Sequence, residues 1–158
     1  YEITRPIPVA EREIRIAASR KSLVALARKA GNMNAQLAME CLPRACLGNT
    51  SREVQRLIEG IDSLGVCLDT NHLLQEKPED FVRALGSRIV TLHVADYDGI
   101  DERHWLPGTG INNWTAIVRA LQEVGYPGPF LFECRGTPEE KIAVWTKMKE
   151  SAAASAKP

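Results

Sequence analysis

Several features are missing from this sequence of 158 residues, and each absence narrows what it can be. No apolar run approaches the roughly 20 residues needed to cross a bilayer. The opening stretch, YEITRPIPVAERE, has no apolar centre of the kind a secretory signal needs, so a cytoplasmic location is expected. Net charge is also lacking: 20 basic and 20 acidic residues cancel. No overall field therefore draws the chain to nucleic acid or to an anionic membrane. Four cysteines are present, but no CxxC pair. Three of them lie in apolar runs, and they read as small buried hydrophobes rather than as disulfides or thiolate ligands. No Asn-Gly or similar hairpin signal joins adjacent apolar runs.

What is present describes an ordinary globular domain, 44% hydrophobic and 25% charged, with enough apolar content for a real core. From about Arg12 to Ala30, Ile16, Leu23, Leu26 and Ala27 recur at three- to four-residue spacing and Gly31 follows as a stop, which predicts a helix. AQLAME (35–40) is short, apolar and without polar alternation, as expected of a strand covered on both faces. Thr50 and Glu53 form a capping box ahead of a second helix, whose buried stripe is predicted to be Val54, Leu57, Ile58, Ile61 and Leu64, with Gly65 ending it. VCLD is the second strand. Pro78 opens a third helix that Gly86 closes. IVTLHVAD (89–96) is the third strand, and a long polar loop runs to about Asn112. WTAIVRALQEVG follows as a helix and PFLFEC (129–134) as a strand. Thr137, Pro138 and Glu140 supply the N-cap, first-turn proline and capping acid of a last helix. Residues 1–150 are expected to form one unit, and 151–158 a frayed tail.

Strand and helix thus alternate four times after an opening helix. That order predicts right-handed βαβ units, an α/β fold and a parallel sheet. In such sheets chemistry gathers at the carboxyl ends of the strands. The four predicted strands end at or near Glu40, Asp69, His93 and Glu133. A single acid at a strand end is more often a helix cap or a solubilising loop residue, and a lone strand histidine is more often a satisfied core residue. Four metal-competent groups at equivalent positions are harder to explain that way. Side chains alternate along a strand, so a curved sheet could turn all four to one point. Three carboxylates crowded there would repel one another and take up protons, which a divalent cation relieves. Three oxygen donors with one imidazole suit one Mn²⁺, Mg²⁺, Co²⁺ or Zn²⁺ ion and argue against copper or iron–sulfur chemistry.

AMECLP, CLDTNH, LHVADYDGIDERHWLPGTG and FLFEC, in this order, resemble the carboxyl-terminal half of the xylose isomerase-like TIM barrels. That superfamily includes sugar phosphate isomerases and epimerases, ketose 3-epimerases, hydroxypyruvate isomerase, inosose dehydratase and endonuclease IV. The resemblance covers about residues 12–148 and implies strands five to eight of a (β/α)₈ barrel. It matches Glu40, Asp69, His93 and Glu133 to the family's metal ligands and His72 to its substrate-contacting histidine. Arg103 and His104 are similar in position to residues that touch substrate or, in the nuclease, further zinc. The expected activity is isomerisation or epimerisation of a sugar or sugar phosphate, with Glu40 and Glu133 exchanging a proton from two faces. The alternatives are an inosose-type dehydratase, a non-catalytic piece, and a zinc nuclease that would add His72, Glu102 and His104 as ligands. Zero net charge and a glutamate at 102, where an aspartate is usual, count against the nuclease. A full barrel takes about 250 residues. Either an amino-terminal half-barrel is missing or two copies pair their halves, and the first is favoured. Arg135, on the face of Glu133, and Trp105, as a wall or a loop anchor, are lesser candidates. Two glycines in PGTG have the wrong spacing for a phosphate cradle.

Overall fold

A computed structural model describes residues 5–154. The chain runs α1 (Val9–Asn32), β1 (Leu37–Glu40), α2 (Ser51–Ile58), β2 (Leu64–Asp69), α3 (Pro78–Leu85), β3 (Ile89–Val94), α4 (Trp114–Glu123), β4 (Phe130–Phe132) and α5 (Pro138–Ala154). A single 3-10 turn, Gly86–Arg88, links α3 to β3. The strands form one sheet in sequence order, and every pairing is parallel. The expected alternation is therefore the observed one. Among the described residues no helix is long and apolar enough to cross a membrane. The first four and last four residues lie outside the described region. The helix α5 continues to Ala154, into the stretch expected to fray.

The core lies on one side of the sheet. Val66, Leu68, Leu92 and Val94 turn toward the helices and meet Val54, Ile58, Phe81, Val82, Ile117 and Leu121, all of them buried. Burying each such side chain stabilises the fold by about 1.5–3 kcal/mol. The opposite, concave face has no helical cover among the described residues. There Ala38, Glu40, Thr91 and His93 are only half-buried, and Leu131 is 53% exposed. Strand β1 is half-buried throughout, not covered on both faces as its composition predicted, because it is an outer strand whose inner side faces this open space.

Two local findings revise the expected pattern. Helix α2 stops at Ile58, and Gly60 turns the chain at φ +70°, a conformation that a residue with a Cβ rarely adopts. Ile61 and Leu64 thus belong to the turn and to β2, and Gly65 is a strand residue. The capping box of α2 is also only half made. Thr50 accepts the N–H of Glu53 at 3.3 Å, but the Glu53 carboxylate turns to Arg12 of α1 and to the N–H of Gly48. At α5 the box is complete: Thr137 N–H donates to Glu140 and Glu140 N–H to Thr137 Oγ1.

Candidate active site

Parallel strands bring their last residues to one rim. Glu40 ends β1, Asp69 ends β2, His93 is the penultimate residue of β3, and Glu133 follows β4 by one residue. Asp69 and His93 are register partners, while Glu40 pairs one step lower with Cys67. A ligand atom from each of the four lies within 4.8 Å of the others. His93 Nδ1 stands 2.7 Å from Glu133 Oε2, 3.3 Å from Glu40 Oε1 and 3.8 Å from Asp69 Oδ2. Despite the short approach to Glu133, His93 Nδ1 has no hydrogen bond of acceptable geometry among the described residues, and neither does Asp69 Oδ2; both atoms are buried.

Two orphaned buried ligand atoms at a shared point are costly unless something occupies it. Burial pushes the Asp69 carboxyl up to about 6 against the pull of His72, and the nearby Glu40 and Glu133 carboxylates add to the rise. The other Asp69 oxygen accepts the N–H of Asn71 at 2.7 Å and is thereby fixed. Three carboxylates and an imidazole with these orphaned atoms fit a divalent cation held by hard and borderline donors. Cys67 Sγ can also join Glu40 and His93 within 4.8 Å. Burial raises its thiol to about 12, with Glu40 adding to the rise, so it behaves as packing.

His72 borders this group. Its Nδ1 is 3.0 Å from the Cys41 carbonyl, to which it donates, so Nε2 faces Asp69 Oδ2 at 3.5 Å and Glu102 Oε2 at 3.9 Å. Arg103 is placed differently: its Nε donates to Asp98 at 2.7 Å, and among the described residues it has no ion pair with the four donors. His104 sits at φ +51° with Nδ1 2.9 Å from the Glu133 carbonyl oxygen. It is not part of the four-donor group. Arg135 is exposed, and its backbone N–H donates to the His104 carbonyl. Trp105 anchors its loop through a two-way backbone pairing with Asp96.

Three residues that organise the rim had not stood out in the sequence. Asp96, fully buried, accepts from the N–H groups of Tyr97, Gly108 and Asn112 and from Trp114 Nε1, all at 2.8–3.1 Å. The PGTG segment therefore wraps a carboxylate of the chain itself. Gly110 lies so close that a Cβ there would come within 2.2 Å of the Tyr97 carbonyl. Asn71 is also fully buried, and its Oδ1 accepts both the Arg103 and the His104 N–H. Arg44, at φ +55°, reaches from the β1–α2 loop to Asp101 and Glu102 in the β3–α4 loop. An apolar run ending in Asp was a visible signal for Asp96. Asn71 and Arg44 carried no signal of their own.

A sequence model of one family, described as Xylose isomerase-like TIM barrel, matches residues 5–153. The chain belongs to that family. A ketose 3-epimerase of Arthrobacter globiformis is 28% identical over 122 residues, covering 75% of this chain and 41% of the relative. An uncharacterised protein of Sinorhizobium fredii is 32% identical over 104 residues, covering 63% of this chain and 33% of that protein. Among solved structures, a D-tagatose 3-epimerase-like protein superposes with a TM-score of 0.83 at 22% identity, covering 96% of this chain and 62% of the other. The chain thus spans 33% and 41% of the two relatives and 62% of the solved structure. Four parallel strands with their helices are half of the family's eight-stranded barrel, and the open concave face is the inside of that barrel.

Proposed function

We propose that the protein containing this chain is a divalent-metal-dependent sugar isomerase or epimerase that acts on a hydroxy-ketone by carboxylate proton transfer. The observation that carries this reading is the convergence of Glu40, Asp69, His93 and Glu133 within 4.8 Å, with Asp69 Oδ2 and His93 Nδ1 orphaned. The likeness to a ketose 3-epimerase supports the substrate class. Mn²⁺, Mg²⁺, Co²⁺ or Zn²⁺ held by these four residues would supply Lewis acidity toward a carbonyl and its neighbouring hydroxyl. Glu40 and Glu133 stand at the two outer strands, 3.3 and 2.7 Å from His93 Nδ1 on a strand between them. One removes the proton from the hydroxyl-bearing carbon beside the carbonyl, and the other, as the acid, delivers a proton to the opposite face of that carbon. His72, with Nδ1 anchored on Cys41, presents Nε2 toward this space and steadies a substrate oxygen as charge develops. The same reading gives Arg103 and His104, in the bordering loop, contact with the rest of the substrate.

The remaining half of the barrel is the partner in this reading, in the same chain or from a second copy. The lengths of the relatives favour the same chain. Four free cysteines suit the cytoplasm. The zinc-nuclease reading has less support: His104 Nδ1 is engaged by the Glu133 carbonyl and so does not join His72 and Glu102, whose Nε2 and Oε2 lie 3.9 Å apart.

The test is proton exchange. The Mn²⁺-loaded protein is incubated with D-tagatose or another ketohexose in D₂O, and deuterium at the carbon beside the carbonyl is followed by NMR. Deuterium incorporation with appearance of the epimer is expected, and both should vanish in Glu40→Gln and Glu133→Gln. A metal-loaded protein that exchanges no proton in any ketose tried would leave the epimerase reading without support.

A further inference from the structure

Next to the four-donor centre stands the beginning of a second one. His72 Nε2 lies 3.5 Å from Asp69 Oδ2 and 3.9 Å from Glu102 Oε2. With His72 Nδ1 engaged by the Cys41 carbonyl, Nε2 is the ring nitrogen that faces these two oxygens. Asp69 Oδ2 is buried and has no hydrogen-bond partner among the described residues, and it also faces His93 in the first centre. A carboxylate in that position could bridge two cations, as in two-metal sites with ions about 3.5–4 Å apart. Asp101 precedes Glu102 in the same loop, and Arg44 contacts both, so a further acidic side chain stands beside this group.

A cation is already there. Arg44 Nη1 is 2.7 Å from Glu102 Oε1, and its Nη2 contacts Asp101. The guanidinium cannot lose its proton at any ordinary pH. The backbone that carries it is anchored too: the Arg44 carbonyl accepts from Asn49 Nδ2 and Gln75 Nε2.

We propose that Arg44 is the counter-ion that limits this centre to one metal ion, by neutralising Glu102 and Asp101 and holding a fixed charge where a second divalent ion would need to be neutralised. The inference rests on the four-donor reading above and assigns to Arg44 a positioning role outside the proton transfer. A second ion would have to take Glu102 from an ion pair and then stand one carboxylate away from a permanent positive charge.

The test counts metal. The protein is equilibrated with excess Mn²⁺ at neutral pH and freed of unbound ion. Mn²⁺ per chain is then measured by mass spectrometry of the metal, and pairing between ions by electron paramagnetic resonance. The wild type is expected to hold about one Mn²⁺ per chain with an uncoupled spectrum, and Arg44→Met about two with the spectrum of an exchange-coupled pair. Arg44→Lys, which keeps the charge, should return to about one, as should the double variant Arg44→Met, Glu102→Gln. A folded Arg44→Met with a single ion overturns the proposal and leaves the four-donor reading standing. The wild type alone can also overturn it, by binding a coupled pair. A wild type that binds no ion overturns both.

Discussion

Glu133 Oε2 lies 2.7 Å from His93 Nδ1, although the two residues are joined only through neighbouring strands. One sits within β3 and the other just past β4, and the pairing of Leu92 with Phe130 and of Val94 with Phe132 sets that distance. The glutamate is placed by the three-residue strand β4, by its own N–H on the Val94 carbonyl at 3.2 Å and by the His104 contact. Replacing Glu133 by Gln keeps the shape and removes the charge. Mn²⁺ affinity is expected to fall by about 100-fold or more, beyond what loss of an outer partner of a metal ligand causes. A calorimetric titration showing the affinity unchanged would remove Glu133 from the ligand set.

Asp69 makes the site sensitive to pH. Burial raises its carboxyl from 3.8 to about 6 in the metal-free protein, with His72 opposing and Glu40 and Glu133 adding. The folded state therefore holds this proton more firmly than the unfolded chain. In the metal-free protein the stability this group contributes is full below about pH 4 and is lost as the pH rises through about 6. Metal competes with the same proton, so Mn²⁺ affinity should weaken by roughly tenfold per pH unit below about 6 and level off above it. Titrations between pH 5 and 8 check this, and a flat profile would separate Asp69 from the metal.

Arg12 links α1 to the loop after β1. It pairs with both oxygens of Glu53 at 2.6 and 2.7 Å and donates to the carbonyls of Ala45 and Cys46 and to Asn49. Glu53 is 8% exposed. Removing Arg12 alone strands a buried carboxylate, which costs about 3–5 kcal/mol when burial is complete. With Arg12 partly solvated, Arg12→Ala should cost about 2–3 kcal/mol in urea unfolding. The double change Arg12→Met, Glu53→Gln should recover much of that. Equal losses in the two would show that the pair itself, and not the stranded charge, carries the effect.

The parts of this molecule written in local patterns were legible before the fold was seen. The capping residues at Thr137 and Glu140 do what their spacing implies, and the acids and the histidine at the strand ends meet at one rim because parallel strands bring their ends together. The boundary of α2 was misread because Ile61 and Leu64 continue a helical spacing, while the turn at Gly60 has already taken them out of the helix. Arg12 with Glu53 and Asp96 with Trp114 were invisible for a different reason. Their partners are 41 and 18 residues away, and a single sequence has no periodicity on that scale. Arg44 gave no warning either, since an arginine after a strand is usually solvated, and here only the fold brings Glu102 to it.

Asn71 controls the rim through its side-chain oxygen. Oδ1 accepts from Arg103 N–H at 3.0 Å and from His104 N–H at 3.2 Å, which joins the loop after β2 to the loop after β3. His104 in turn contacts the Glu133 carbonyl, so one buried oxygen reaches Glu133 through a single intermediary. Truncation to Ala leaves two N–H groups without this acceptor, at about 1–3 kcal/mol each where they stay dry. Asn71 Nδ2 has no partner among the described residues, so an acceptor alone should suffice at this position. Asn71→Asp is therefore expected to keep more stability than Asn71→Ala, despite the added charge near Asp69. The check is thermal unfolding and Mn²⁺ titration of both variants side by side. If Asn71→Ala matches the wild type in both, the two loops are held by other contacts and the route from Asn71 to Glu133 carries nothing.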